Sequence, residues 1–312
     1  MQPEGTNLLR GSIDCHIHAC PHMNGRSVTV FDAVRQAAAA GQRAIVLMDN
    51  FQNSSGYAAL AQDELGHLGV EVLGGLILQP AAGGISYEAA QIAVDYGYGP
   101  GSGARFISLP THHTRHIAMQ EGRSALQAES AFHVPDSGDL HSDLLQIINL
   151  CATCGIVFDC GHVSGTEALR LTEIARAHGV RQVRVHCSDH APDIVTALAD
   201  LGAYCEFSFF VLSHATQVGL THADTEKHRI TGMTLEAQTA RIRAAGTQAL
   251  VSSDAGISLL APPVETFRQY LLLLRAQGFT DTELRQMSRD RPAALFGIDL
   301  DAPLSNMESI HG

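Results

Sequence analysis

The chain has 312 residues, 45% hydrophobic and 17% charged, with a formal net charge of -12. That length and apolar content support a full core and match one barrel domain of ordinary size. The acidic balance speaks against nonspecific binding to nucleic acid or to an anionic membrane, because both depend on Lys and Arg to neutralise phosphate. No apolar run approaches the roughly 18 to 20 residues that span a bilayer. The first residues, Met-Gln-Pro-Glu-Gly-Thr-Asn, hold no cationic segment followed by an apolar one. A cytoplasmic protein is the default expectation. The seven cysteines are spread through strand and helix candidates and are read as reduced, unlike the paired framework of a small secreted domain. The Cys151-Ala-Thr-Cys154 pair lies in an apolar helical pattern without a second pair, so it is read as packing.

In chain order, short β-rich apolar runs alternate with Ala- and Leu-rich amphipathic segments, the pattern of parallel βα units. The strand candidates are Ile13 to His18, Ala44 to Asn50, Val70 to Leu78, Arg105 to Pro110, Gly155 to His162, Val183 to Cys187, Ala203 to Phe209 and Ala249 to Asp254. Helical stretches between them include Val30 to Ala40, Tyr87 to Asp95, Leu140 to Thr153, Gly165 to His178 and Leu235 to Ala245. Eight such units close an α/β fold of the (β/α)8 TIM-barrel type. The expectation is a single domain over residues 1–298, with 299–312 as a C-terminal tail. Two connections are long: Thr111 to Asp139 after strand four and Val211 to Gly232 after strand seven. Segments of that length are functional covers or disordered, and their His content favours covers.

Residues two apart on a strand share a face, so Asp14, His16 and His18 are expected to project into the barrel while Ile13, Cys15 and Ile17 face away. Two imidazoles on one strand can grip a single cation, since neutral His is the commonest transition-metal ligand. Further candidate ligands fall near the C-terminal ends of later strands, where barrel enzymes place their catalytic groups: His162 on strand five, His186 on strand six and Asp254 on strand eight. Glu206 shares a face of strand seven with Tyr204 and Ser208. An inward carboxylate there is costly unless paired with a cation, so Glu206 is a candidate ligand or acid/base group.

This order of ligands, a His-x-His on strand one, single His residues on strands five and six and an Asp on strand eight, resembles the amidohydrolase superfamily of metal-dependent barrels. The resemblance runs from Ile13 to about Ile298 and includes Arg291-Pro-Ala-Ala-Leu-Phe-Gly-Ile298, similar to an Asn-Pro-Ala segment after the last strand. It implies that His16 and His18 bind a metal and that Asp254 is a ligand or the base for the attacking water. His162 and His186 would then be ligands or substrate-polarising groups. Zinc is the first expectation, with manganese, iron or nickel fitting similar donors. Many binuclear members carry a bridging lysine on strand four, but the only lysine here is Lys227. That departure favours one tightly held ion, with His112 or His113 as reserve donors.

Loop residues near the expected mouth are candidates for substrate contact: His22 and Arg26 in Cys20-Pro-His-Met-Asn-Gly-Arg26, then His112, His113, Arg115 and His116 after strand four, and Asp189 and His190 after strand six. Arginine pairs bidentately with carboxylates, so a small molecule bearing a carboxylate is one reading; solvated loop charges are the other. Asp189 has the further reading of a helix N-cap. The resemblance implies a metal-dependent hydrolase cleaving an amide, imide, lactone or related carbonyl bond. The alternatives are a decarboxylase or hydratase of the same superfamily acting on an unsaturated or aromatic carboxylate, a phosphoesterase of another His-rich barrel family, or a metal kept only for structure. Val163-Ser-Gly-Thr166 lacks the glycine a nucleophile elbow needs, and Gly99-Pro-Gly-Ser-Gly103 lacks the lysine and helix of a phosphate loop. Assembly into a homo-oligomer is a mild expectation.

Overall fold

The computed structural model describes residues 3–218, 220–221, 227–228 and 230–301. All eight expected barrel strands are present and parallel: β1 Ile13–Ile17, β2 Ala44–Leu47, a third strand in two pieces (β3 Glu71–Leu73 and β4 Leu76–Ile77), β5 Phe106–Ser108, β6 Val157–Asp159, β7 Val183–His186, β8 Tyr204–Ser208 and, last, β11 Ala249–Ser252. The third strand breaks at Gly74-Gly75. A Cβ on Gly74 would lie 2.5 Å from Ser54 O, and one on Gly75 2.3 Å from Phe106 O, so only glycine admits these close approaches. The Ser54 hydroxyl fills the gap, with its one proton shared between Leu47 O and Gly75 O at 2.7 and 2.9 Å and its oxygen accepting from Gly75 N at 2.8 Å. The last strand returns to the first through Asp254 N to His16 O at 2.9 Å and His18 N to Ala255 O at 2.7 Å, which closes the barrel.

Local sequence fixes the outer helices. Helix α1, Val30–Ala40, starts where Thr29 accepts from Asp32 N and stops at Gly41 with φ 73°. Its buried Val30, Ala33, Val34 and Ala37 pack on Ile17, Ile45 and Leu47; burying each such valine contributes about 1.5–3 kcal/mol. Helix α7, Gly165–Ala177, opens with a capping box in which Ser164 and Glu167 satisfy each other's backbone N–H. Ser164 is thus committed to the helix start. Cys151 is buried and Cys154 exposed on α6, Ser142–Cys154, and all seven thiols are unpaired. No helix among the described residues is long and apolar enough to cross a membrane.

On β6, β7, β8 and β11 the alternation is regular. Phe158, Val183, Val185, Cys205, Phe207, Ala249 and Val251 pack outward beneath the helices, leaving Asp159, Arg184, His186, Glu206 and Ser252 for the interior. Strand β1 departs from the expected alternation. Its register with β2 slips between Asp14 and Ile17, so Ile13 pairs with Ala44 but Ile17 with Leu47. Ile13 and Cys15 consequently join the barrel floor with Met48, Phe106, Leu250 and Phe296, whereas Asp14 pairs with Ile45 on the helix side and accepts a hydrogen bond from Ser253 N. The shared face expected for Asp14, His16 and His18 is corrected by this bulge, which advances the side-chain phase by one residue.

The two long connections differ in content. The first carries two short helices, α4 Arg115–Gln120 and α5 Ala125–Ser130. The second contributes the turns Phe210–Leu212 and His214–Gln217 and a two-residue antiparallel pair, Leu220–Thr221 with Lys227–His228. Near the C-terminus, helix α12, Arg291–Phe296, covers the barrel floor, and Asp299 O accepts from Arg43. Most of the expected tail, 302–312, lies outside the described residues.

Candidate metal centre

Three layers of side chains rise from the floor. The lowest is charged: the Arg184 guanidinium lies 5.4 and 5.9 Å from the Phe106 and Phe296 ring centroids, and its Nε donates to Asp159 Oδ2 at 2.6 Å. Arg184 also donates to Cys15 O and stands 3.5 Å from Glu206 Oε2. Burial alone would raise the Asp159 pKa, but Arg184 and His186 override it and hold this carboxyl well below the usual range.

The middle layer is His16, His186 and Glu206. Glu206 Oε1 accepts from Ser252 Oγ at 2.6 Å and faces His16 Nδ1 at 3.0 Å. His186 lies between two carboxylates, Nε2 at 3.1 Å from Asp159 Oδ2 and Nδ1 at 3.3 Å from Glu206 Oε2. At the top, Asp254 Oδ1 faces Nε2 of His16 at 3.3 Å and Nε2 of His18 at 3.4 Å. Ser208 Oγ donates to its other oxygen at 3.3 Å.

These distances test the site for a cation. With Nδ1 of His16 donating to ionised Glu206, Nε2 of the neutral ring is a bare acceptor facing a carboxylate oxygen, so the metal-free chain holds a proton there, in the place a divalent ion would take. Two acceptors at that separation repel unless a positive species lies between them. Burial works against the charged imidazole, but Asp254 and Glu206 outweigh it and raise the His16 pKa to about 9. His16, His18 and Asp254 present ligand atoms all within 4.8 Å of one another, as do His16, His186 and Glu206. Neutral imidazoles and carboxylates are the donors of catalytic zinc-type sites, so the residues fit a divalent ion.

Asp254 holds its place with φ 46°, the one positive φ at a non-glycine among the described residues. Such strain clusters where structure over-determines a functional group. The following turn needs Gly256, because a Cβ there would lie 1.8 Å from His18 O.

The cleft above is formed by two adjoining cavities that share His162, Ile230 and Asp254. His16, His18, Arg26, Asn50, Thr111 and His112 line the first, with Ile77, Phe210 and Ile257; His186, Asp189 and Glu206 line the second. Burial, and then His186, lower the His162 pKa to about 4 and keep it neutral. His22 contacts Arg26 at 2.7 Å, with its ring centroid 6.2 Å from that of His18. The remaining candidates are not gathered here. His113 turns into a neighbouring crevice with Nδ1 3.3 Å from Gln79 Oε1, Arg115 opens α4, and His190 is buried with Nδ1 3.5 Å from Asp189 Oδ1. Asp189 pairs with His116 at 2.7 Å; the N-cap of α8, Pro192–Asp200, is Ala191 instead.

Arg184 and Asp159 escaped the sequence reading. Their signal was available: Arg184 lies two residues before His186 in an otherwise apolar strand, and a charge at that phase must face the barrel interior.

Solved structures of like fold include organophosphorus hydrolase from Deinococcus radiodurans, 14% identical over 94% of this chain and 94% of that one, TM-score 0.56. A mutant organophosphorus hydrolase is 15% identical over 94% of each chain, TM-score 0.58. A mutant of the PTE-like lactonase of Deinococcus radiodurans is 13% identical over 95% of this chain and 98% of that one, TM-score 0.56. The likeness is one of fold and agrees with the amidohydrolase-type barrel that the ligand order resembles. No curated protein matches the sequence. Residues 11–206 match the model of DUF6282, described as a family of unknown function. With that match running from the first barrel strand into the seventh, well over half of the sequence, the chain belongs to the DUF6282 family.

Proposed function

We propose that the chain is a metal-dependent hydrolase cleaving a lactone, amide or related carbonyl bond of a small molecule in the cytoplasm. The observation that carries this reading is the convergence of Asp254 Oδ1 with two imidazole nitrogens at 3.3 and 3.4 Å, a buried donor set that fits a divalent ion. Zinc is the first candidate for such donors, ahead of manganese, iron and nickel. When bound on His16, His18 and Asp254, the ion supplies Lewis acidity, lowering the pKa of water toward about 7 and polarising a carbonyl.

The protein's own groups do the rest. Glu206 orients His16, and Ser208 steadies Asp254. Burial raises the Asp254 pKa, but the neighbouring His16 and His18 lower it below the ordinary value. Asp254 therefore stays ionised and accepts the proton of the attacking water. Neutral His162 at the junction of the two cavities donates a hydrogen bond to the substrate oxygen, and His186 is held between Asp159 and Glu206 as a fixed dipole beneath it. The names of the like-folded structures, organophosphorus hydrolase and lactonase, put lactones first in the screen and phosphoesters second.

The test is to load the protein with zinc or manganese and assay lactones, acyl amides and aryl phosphoesters with product analysis. Hydrolysis lost in Asp254→Asn supports the reading. Carbon dioxide release or water addition without bond cleavage would replace it with the decarboxylase or hydratase alternative.

A further inference from the structure

The cleft holds one strong positive charge that the proposed chemistry leaves unused. Arg26 is fixed by its main chain, which forms an antiparallel bridge with Ile257, and by the neighbouring Ser27 N, which donates to Gly256 O at 2.7 Å. A guanidinium offers five donors. Among the described residues Arg26 makes one side-chain contact of hydrogen-bond length, 2.7 Å from Nη2 to His22 Nε2, and no carboxylate lies within ion-pair distance. Its Nε is buried and has no partner.

Asp49, the nearest acid by its electrostatic effect on Arg26, is already committed. Its Oδ1 accepts from Phe51 N and Gln52 N at 2.8 and 3.2 Å, and its Oδ2 accepts from Tyr57 OH at 2.5 Å. Burial, the leading influence on Arg26, lowers its pKa from the ordinary 12.5, the mark of a cation short of compensation. A buried donor left unmade is costly, and a buried charge more so.

We propose that Arg26 anchors a carboxylate of the substrate, so that the molecule cleaved is a small organic acid whose scissile carbonyl lies across the cleft from its carboxylate. This deepens the hydrolase reading and rests on it. The planar fork of Arg26 suits the two oxygens of a carboxylate, and the adjoining Ile77, Phe210, Ile230 and Ile257 suit an apolar body between the two ends. A neutral triester would leave Arg26 unpaired.

The experiment measures binding by calorimetry to the full chain loaded with zinc, comparing benzoate with benzamide and glutarate with glutaramide. A charge-assisted hydrogen bond predicts that each acid binds ~10- to 100-fold more tightly than its amide. Arg26→Met should abolish that preference while the zinc content stays unchanged. Arg26→Lys, which keeps the charge but loses the fork, should retain only part of it, and it carries the test if the Met variant does not fold. Equal binding of acid and amide, no binding of either acid, or a preference that survives Arg26→Met would overturn the proposal. Failure to load zinc overturns the hydrolase reading instead, and acid binding to the metal-free chain then still reports on Arg26.

Discussion

Glu206 Oε1 lies 3.0 Å from Nδ1 of His16, and this contact decides which nitrogen the imidazole offers to the cleft. Glu206 is itself held by Ser252 and faced by Arg184, so the ring of His16 is clamped from below with Nε2 directed at Asp254. A carboxylate behind a ligating histidine fixes its tautomer and raises its basicity. The charged floor thus shapes the centre above it.

The first prediction concerns that clamp. Glu206→Gln keeps the volume but loses the charge, and should weaken zinc affinity about 10- to 100-fold. His16→Ala, His18→Ala and Asp254→Ala should remove stoichiometric binding. Elemental analysis and competition with a chromogenic chelator measure both. Wild-type protein should hold near one ion per chain; near two would promote His16, His186 and Glu206 to a second site.

The buried pair of Asp159 and Arg184 should reveal itself through pH. The folded-state pKa of Asp159 is depressed, so its stabilisation is complete above the unfolded carboxylate value near 4 and is lost as pH falls toward the folded value. Asp159→Asn should therefore cost up to about 3–5 kcal/mol at pH 7, because Arg184 keeps only Glu206 Oε2, at 3.5 Å, as a charged partner. The gap from wild type should narrow only below about pH 4. Urea unfolding of metal-free protein across pH checks this, and a gap constant down to pH 2 would contradict it.

Gly256→Ala places a Cβ against the carbonyl of His18 at a φ of 125°. Because that backbone turn aims Asp254, the variant should lose zinc as well as stability, by well over the ~1 kcal/mol typical of point substitutions. Gly138→Ala, also at positive φ but with open space around it, is the control and should cost only about 1–2 kcal/mol of backbone strain. Thermal melts and metal content on both separate steric from conformational effects.

Cys154 is the one exposed thiol, and burial followed by Asp95 raises its pKa above 9.0. It should react slowly with a thiol reagent at pH 7.5, since the thiolate is the nucleophile. The five buried thiols should react only after unfolding. Cys151→Ser with Cys154→Ser should leave the zinc content unchanged; a drop would turn that pair from packing into a metal site.

Much of the fold was legible because strand and helix periods are local. Val30–Ala40, Tyr87–Asp95 and Leu235–Ala245 were delimited by their apolar spacing alone, and the structure starts each at a Thr or Ser cap. The phase of β1 was not, since the bulge after Asp14 depends on pairing with Ala44–Leu47, a distant segment. Nor could spacing separate His112, which lines the cleft, from His113, which turns away toward Gln79. Those choices are made by tertiary packing. Arg26 was legible as a candidate, but its lack of a carboxylate partner is a fact of three dimensions.

The hydrogen bonds that join the last strand to the first run through the main chain of His16, His18, Asp254 and Ala255. The two imidazoles and their carboxylate are about 240 residues apart in sequence and meet only along that seam, a separation that makes their meeting a late, high-contact-order event. A chain still emerging from the ribosome offers a stray cation the two histidines of this set but not its carboxylate until residue 254 is made. Filling of the His16, His18 and Asp254 set is thereby deferred to the finished barrel, and metal held there becomes a readout of completed synthesis and closure.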